Sequence, residues 1–170
     1  MKKLTLFLVL ILFHLNSFAQ QNVNTNLIGI QTKENFKQQP FSHWFDSNYN
    51  NYNPDESIVK EIKKHLNGIT IKAFMGTWCG DSKRETPNFY KLLDALNFDY
   101  KDLTMIAVGR DKTTPDNLQE GLNIARVPTF IFYRNGKEIG RFVEYPRETL
   151  EKDILKIVSG KPYKHSYETD

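Results

Sequence analysis

Cysteine is nearly missing from this chain: its 170 residues hold one, Cys79. A single thiol forms no disulfide within the chain and completes no structural zinc site, so neither staple holds the fold together. The histidines His43, His65 and His165 show no metal-ligand spacing, and the nine glycines form no phosphate-cradling loop. No metal and no cofactor is expected. An excess of one charge is missing too. Lys and Arg number 23 against 20 Asp and Glu, and setting Lys2 and Lys3 aside leaves 21 against 20. That balance lacks the basic stripe a nucleic acid requires and the polybasic patch that binds an anionic membrane. No apolar run reaches the roughly 20 residues of a membrane span. Hydrophobic residues make up 39% of the chain, with 12 Phe and 8 Tyr among the residues that can build a core.

The first nineteen residues have a different character. Lys2 and Lys3 precede the apolar run Leu4 to Phe13, and Ser17-Phe18-Ala19 supplies small residues before Gln20. This is the layout of a secretory signal peptide cut after Ala19, which predicts an exported chain, periplasmic or secreted. The run is too short for a retained membrane anchor, and no cysteine follows it to carry a lipid. The remaining stretch of about 150 residues suits one domain, expected to be a monomer. Export favours disulfides, yet this cysteine has no partner in the chain. An unpaired cysteine in an exported protein points to intermolecular pairing or to a reactive thiol.

Residues 20–53 are Asn/Gln/Thr-rich and read as an irregular N-terminal extension that packs Phe36, Phe41, Trp44 and Phe45 onto the domain. The domain itself is expected over residues 54–160, with a polar tail at 161–170. Asp55 to Leu66 reads as a helix, with acidic residues at its start and Ile58, Ile62 and Leu66 at helical spacing. Ile69 to Met75 is β-branched and apolar on both faces, the mark of a buried central strand. Ser82 to Leu96 carries an inner stripe of Phe89, Leu92, Leu93 and Leu96, with Pro87 inside it as a kink. A second buried strand runs from Leu103 to Val108. Thr114-Pro115-Asp116 predicts a short helix to Leu122. Thr129 to Tyr133 and Glu138 to Val143 flank the hairpin signal Asn135-Gly136, and Pro146 to Val158 predicts a last amphipathic helix. The order predicts an α/β sandwich with a central mixed sheet flanked by helices.

Cys79 stands between a buried strand and a helix start. The first N–H groups of a helix have no internal partners, and with the positive end of the helix dipole they favour negative charge on the sulfur. A thiolate is the nucleophile of thiol–disulfide exchange. Trp78-Cys79-Gly80 with Pro87 eight residues after the cysteine, Arg126-Val127-Pro128-Thr129, and Asn135-Gly136 together resemble the thioredoxin family, over about Ile58 to Val158. The resemblance implies a thioredoxin-like fold and a cis-proline at Pro128 lying against the Cys79 sulfur. It also implies a substrate groove formed by Trp78, Val127, Pro128 and Thr129, and partners that are protein disulfides or thiols, low-molecular-weight thiols included.

The departures from the family matter as much. Ser82 stands where the family has its second, resolving cysteine, and a serine cannot attack a mixed disulfide on Cys79. Its hydroxyl could still support the Cys79 thiolate. Asp81 replaces the family's usual proline and opposes negative charge on the sulfur, while Lys83 and Arg84 act the other way. Ala73 occupies the place of the family's buried acid, and Glu144 stands where glycine is common. Two readings follow. In the first, a monothiol oxidoreductase or isomerase forms mixed disulfides through Cys79 in the cell envelope. In the second, a redox-inactive module binds extended peptide segments in the same groove.

Overall fold

The computed structural model describes residues 26–169. The secretory leader expected at residues 1–19 therefore lies outside the described residues. Five strands form one sheet: β1 (Gly29–Gln31), β2 (Ile69–Met75), β3 (Leu103–Ala107), β4 (Thr129–Arg134) and β5 (Lys137–Val143). Their spatial order is β1-β3-β2-β4-β5. β2 pairs parallel with β3 and antiparallel with β4, so the sheet is mixed. The helices are α1 (Lys33–Phe36), α2 (Ser42–Asn51), α3 (Glu56–Lys63), α4 (Gly80–Leu96) and α5 (Leu150–Ser159). Among the described residues no helix is long and apolar enough to cross a membrane.

The alternation of side chains along β2 and β3 sorts the interior into two cores. Ile71, Ala73 and Met75 join Met105 and Ala107 under the helices, in one cluster with Phe89, Leu92, Phe130, Phe142 and Ile154. Phe74 points the other way, with Ile106, Val108, Val127 and Ile131. That second face is covered by Leu118, Leu122 and Ile124, from the long connection between β3 and β4. The helix expected from Thr114 to Leu122 does not form there. The segment is a chain of turns, with Asn117, Gly121 and Asn123 all at positive φ. Three left-handed residues within seven cannot propagate a helix, and the Thr114 hydroxyl caps a turn by accepting from Leu118 N–H at 2.9 Å.

The N-terminal segment departs furthest from expectation. The stretch predicted to be irregular supplies an edge strand and two helices: β1 pairs antiparallel with β3, and α1 and α2 follow it. Phe36, Trp44 and Phe45 are buried in the main core, as predicted, with Phe36 fully enclosed by Trp44, Phe45 and Tyr90. The segment also completes α4. Pro87 has no N–H, so the Lys83 carbonyl one turn back loses its helical donor. Asn48 of α2 supplies one, its side-chain amide donating to that carbonyl at 3.2 Å. At the far end of α4, Asp94 accepts from Lys33, Tyr49 and Tyr100.

The last helix begins at Leu150 rather than Pro146. Thr149 caps it, and buried Asp153 turns back to accept from the N–H groups of Arg147 and Glu148 at 2.7 and 3.3 Å. Those bonds hold residues 146–148 as a loop. The C-terminal tail returns over this loop, where Ser166 donates to the Tyr145 carbonyl and Arg147 to that of Glu168.

Candidate active site around Cys79

β2 delivers the chain to the site and α4 carries it away. The four residues between them are fixed by short contacts. Gly76 has to be small, because a Cβ there would lie 2.6 Å from the Trp78 ring. The Trp78 indole N–H donates to the Val108 carbonyl at 2.9 Å, which pins the ring across the end of β3. Cys79 is the N-cap residue of α4, extended at φ −95° and ψ 130°, and its N–H donates to the Gly76 carbonyl at 2.9 Å. Thr77 ties the turn to the N-terminal segment: it accepts from Leu27 N–H and donates to the Asn26 side chain, each at 3.2 Å.

Opposite this turn lies the loop before β4. The Val127–Pro128 peptide is cis, the isomer the motif predicts. The Cys79 thiol, partly exposed, donates to the Val127 carbonyl at 3.2 Å. Trp78, Cys79 and Val127 thus line one groove, Val127 through its carbonyl, whereas Pro128 is buried and does not line it. Thr129 was expected in the groove as well, but it is only 2% exposed, and its hydroxyl donates to the Arg126 carbonyl at 2.7 Å. It braces the loop from behind and offers no polar atom to a ligand.

Ser82 is equally withdrawn. It is 0% exposed, and its oxygen accepts from Gly76 N–H at 3.1 Å. The hydroxyl thus holds the active-site turn, and its bond is to that backbone and not to the sulfur it could have supported. Asp81 pairs with Arg84 at 2.7 Å, and the same guanidinium reaches Glu85. The Asp81 charge is thus paired with a cation three residues along the helix. Burial pushes the Glu85 carboxyl above its usual range, with Arg84 opposing that shift. Ala73 is fully buried, opposite Met105 and Phe130, with no acid in its place.

A groove of about 260 Å³ opens on the exposed side of the sulfur, lined by Trp78, Cys79, Arg110, Lys112, Arg126 and Glu144. Arg110 and Lys112 come from a tight turn after β3. Lys112 N–H closes on the Gly109 carbonyl at 2.9 Å, and Gly109 N–H on that of Thr113 at 3.0 Å. The Asp111 carboxylate accepts from both the backbone and the hydroxyl of Thr113. The Arg110 guanidinium lies 5.4 Å from the Trp78 ring centroid. Across the groove, Arg126 pairs with Glu144 at 3.3 Å and rests 3.7 Å from the Tyr167 ring. Glu144 has φ +65°, in the left-handed region that favours glycine. Its N–H donates to the Pro128 carbonyl at 2.7 Å, so it braces the cis-proline loop as well as lining the groove. The three cations escaped sequence reasoning, because turn residues remote in the chain carry no periodic signal.

The Thioredoxin family model matches residues 50–156. A thioredoxin-like protein of Acanthamoeba polyphaga mimivirus is 32% identical over 88 residues, which cover 52% of this chain and 61% of the viral protein. The chain thus spans about three fifths of that relative's length. Thioredoxin of Gallus gallus is 30% identical over 98 residues, covering 58% of this chain and 88% of its own. Among solved structures, a Pseudomonas aeruginosa protein of unknown function superimposes with a TM-score of 0.50. Its 14% identity, over 70% of this chain and 81% of that one, is a likeness of fold alone.

Proposed function

Since the chain belongs to the thioredoxin family, we propose that it is a monothiol thiol–disulfide exchange protein of the cell envelope, with Cys79 as its nucleophile. Family membership supports an oxidoreductase-like function of the thiol–disulfide type. One observation carries the finer reading: the sulfur faces an open groove across from the cis-proline loop, while Ser82, in the resolving position, is sealed at 0% exposure.

The chemistry follows from that asymmetry. Cys79, as thiolate, attacks one sulfur of a partner disulfide. The old S–S bond breaks, a mixed disulfide forms, and the other partner sulfur leaves as thiolate. Nothing in this chain can then attack Cys79 from the Ser82 side. Release falls to a thiol of the partner or of the solution, which regenerates Cys79 with no net change in its oxidation state. Such a cycle suits disulfide isomerisation and the removal of small-thiol adducts, and it does not complete a dithiol reduction. The envelope location rests on the leader-like composition of residues 1–19 and on the fate of a lone thiol in an oxidising compartment.

The test is reactivation of a protein substrate with scrambled disulfides, with no added oxidant, by the native chain and by Cys79→Ser. The native chain should restore native pairing and leave a trappable mixed disulfide. Equal performance by Cys79→Ser, or retention of all its partners, would instead favour a groove that only binds extended segments.

A further inference from the structure

The groove beside Cys79 is unevenly charged. Arg110, Lys112 and Arg126 line it against a single carboxylate, Glu144. Glu144 is spent on Arg126 and on the Tyr167 hydroxyl. Arg110 and Lys112 have no carboxylate within 4.0 Å among the described residues, because Asp111, between them in sequence, turns its oxygens onto Thr113. Two cations with no ion pair at contact distance among the described residues are therefore held on the wall next to the sulfur, Lys112 acting on Asp111 only at longer range and Arg110 lying against the Trp78 ring. The turn that carries them is closed by its own backbone bonds, so it is organised before any ligand arrives.

We infer that this groove selects small, peptide-like disulfides and thiols that carry carboxylates, which Arg110 and Lys112 hold while Cys79 reacts. The inference rests on the thiol-exchange reading above and goes further by naming the substrate class. Size points the same way. At about 260 Å³ and open to solvent, the groove has room for one half of a small peptide-like disulfide beside the sulfur. The reaction is a plain exchange. The Cys79 thiolate displaces one half of the probe disulfide as a thiolate and keeps the other half, with no other oxidant or reductant involved. The cations add attraction for an anionic probe in a partly desolvated cleft, where electrostatic guidance raises association rates about tenfold or more at low salt.

The experiment compares glutathione disulfide with the disulfide of glutathione diethyl ester, which presents the same sulfurs with both carboxylates of each glutathione unit masked. Mixed-disulfide formation on the full chain is followed by intact-mass spectrometry at low and high ionic strength. Each rate is normalised to that of a free cysteine peptide, which removes intrinsic differences between the probes. The expected result is a preference of about tenfold for the carboxylate form at low salt, shrinking toward about twofold at high salt. The double substitution Arg110→Gln, Lys112→Gln should lower that preference to about threefold or less. Equal normalised rates insensitive to salt would overturn the inference while leaving Cys79 a working nucleophile. Failure of both probes to react would remove the thiol-exchange reading and this inference with it. Should the double variant not fold, the ester comparison and the salt dependence on the native chain decide the matter.

Discussion

Phe36→Ala should destabilise this protein by about 3–5 kcal/mol, as expected for truncating a fully buried phenylalanine. The magnitude follows from the packing. Phe36 is 0% exposed and its ring lies 6.0–6.2 Å from those of Trp44, Phe45 and Tyr90, drawn from α2 and from α4. Aromatic pairs add about 0.5–1.5 kcal/mol each beyond area burial, which places the cost in the upper part of that range. For a domain of this size, at about 2–4 °C per kcal/mol, the loss lowers Tm by about 6–20 °C. Urea unfolding followed by tryptophan fluorescence and by far-UV circular dichroism checks it, because Trp44 stands in the same cluster at 8% exposure. Ile30→Ala, at a side chain 65% exposed, is the matched control and should change stability by no more than about 0.5 kcal/mol. A Phe36→Ala loss under about 1 kcal/mol, or a fluorescence transition well ahead of the dichroism transition, would refute the reasoning. Either result would make the N-terminal segment an appendage and not part of the cooperative core.

Three further outcomes follow from other contacts. Asn48→Ala should cost about 1–2 kcal/mol in the same denaturation assay, because it strands the Lys83 carbonyl that Pro87 already deprives of its helical donor. Asp94 is pushed up by burial, but hydrogen bonds from Lys33, Tyr100 and Tyr49 outweigh this and hold its carboxyl below the usual range. A depressed carboxyl contributes stability above its unfolded value of about 3.9 and loses it as pH falls through the folded value. Asp94→Asn should therefore be less stable at pH 7, with the gap to the native chain closing in acid; an equal gap at every pH would contradict this. Ser82→Cys places a thiol in the resolving position. The introduced thiol should expel a bound partner from Cys79, so that mass spectrometry finds an internal disulfide where the native chain keeps its adduct. Persistence of the adduct in that variant would show that the buried site cannot reach the sulfur.

Much of the frame was legible in the sequence where one element dominates its own signal. Ile69 to Met75 is a strand in the structure with the same boundaries and lies mid-sheet, but only one face is buried throughout; Thr70 and Lys72 on the other face are exposed, so the expected burial on both faces holds only from Ala73 onward. The Asn135-Gly136 hairpin follows from residues that satisfy turn geometry locally, whereas the cis-proline at Pro128 was readable only through the family resemblance. The strand and helices of residues 26–51, unlike the burial of their aromatics, were illegible for the opposite reason. Asn and Gln dilute their composition toward that of an unstructured lead-in. Even so, Trp44, Phe45, Asn48 and Tyr49 recur at helical spacing, and that face is the one that meets α4. Thr114-Pro115-Asp116 misled because a cap and a proline start turns as readily as helices, and Asn117, Gly121 and Asn123 decide between them. At the site, the nucleophile was readable from its place at a strand–helix junction. The cations around it were not, because Arg110 and Arg126 come to line one groove only after the sheet has folded.

The most direct test of Cys79 as a nucleophile uses 2,2′-dithiodipyridine, a neutral disulfide whose released thione is read by absorbance. The same chain unfolded in urea serves as the reference thiol. Folded Cys79 should react to completion, about tenfold faster than in the unfolded chain, and form an adduct that a small thiol removes. A folded protein whose Cys79 reacts more slowly than in the unfolded chain, or not at all, would contradict a nucleophilic role.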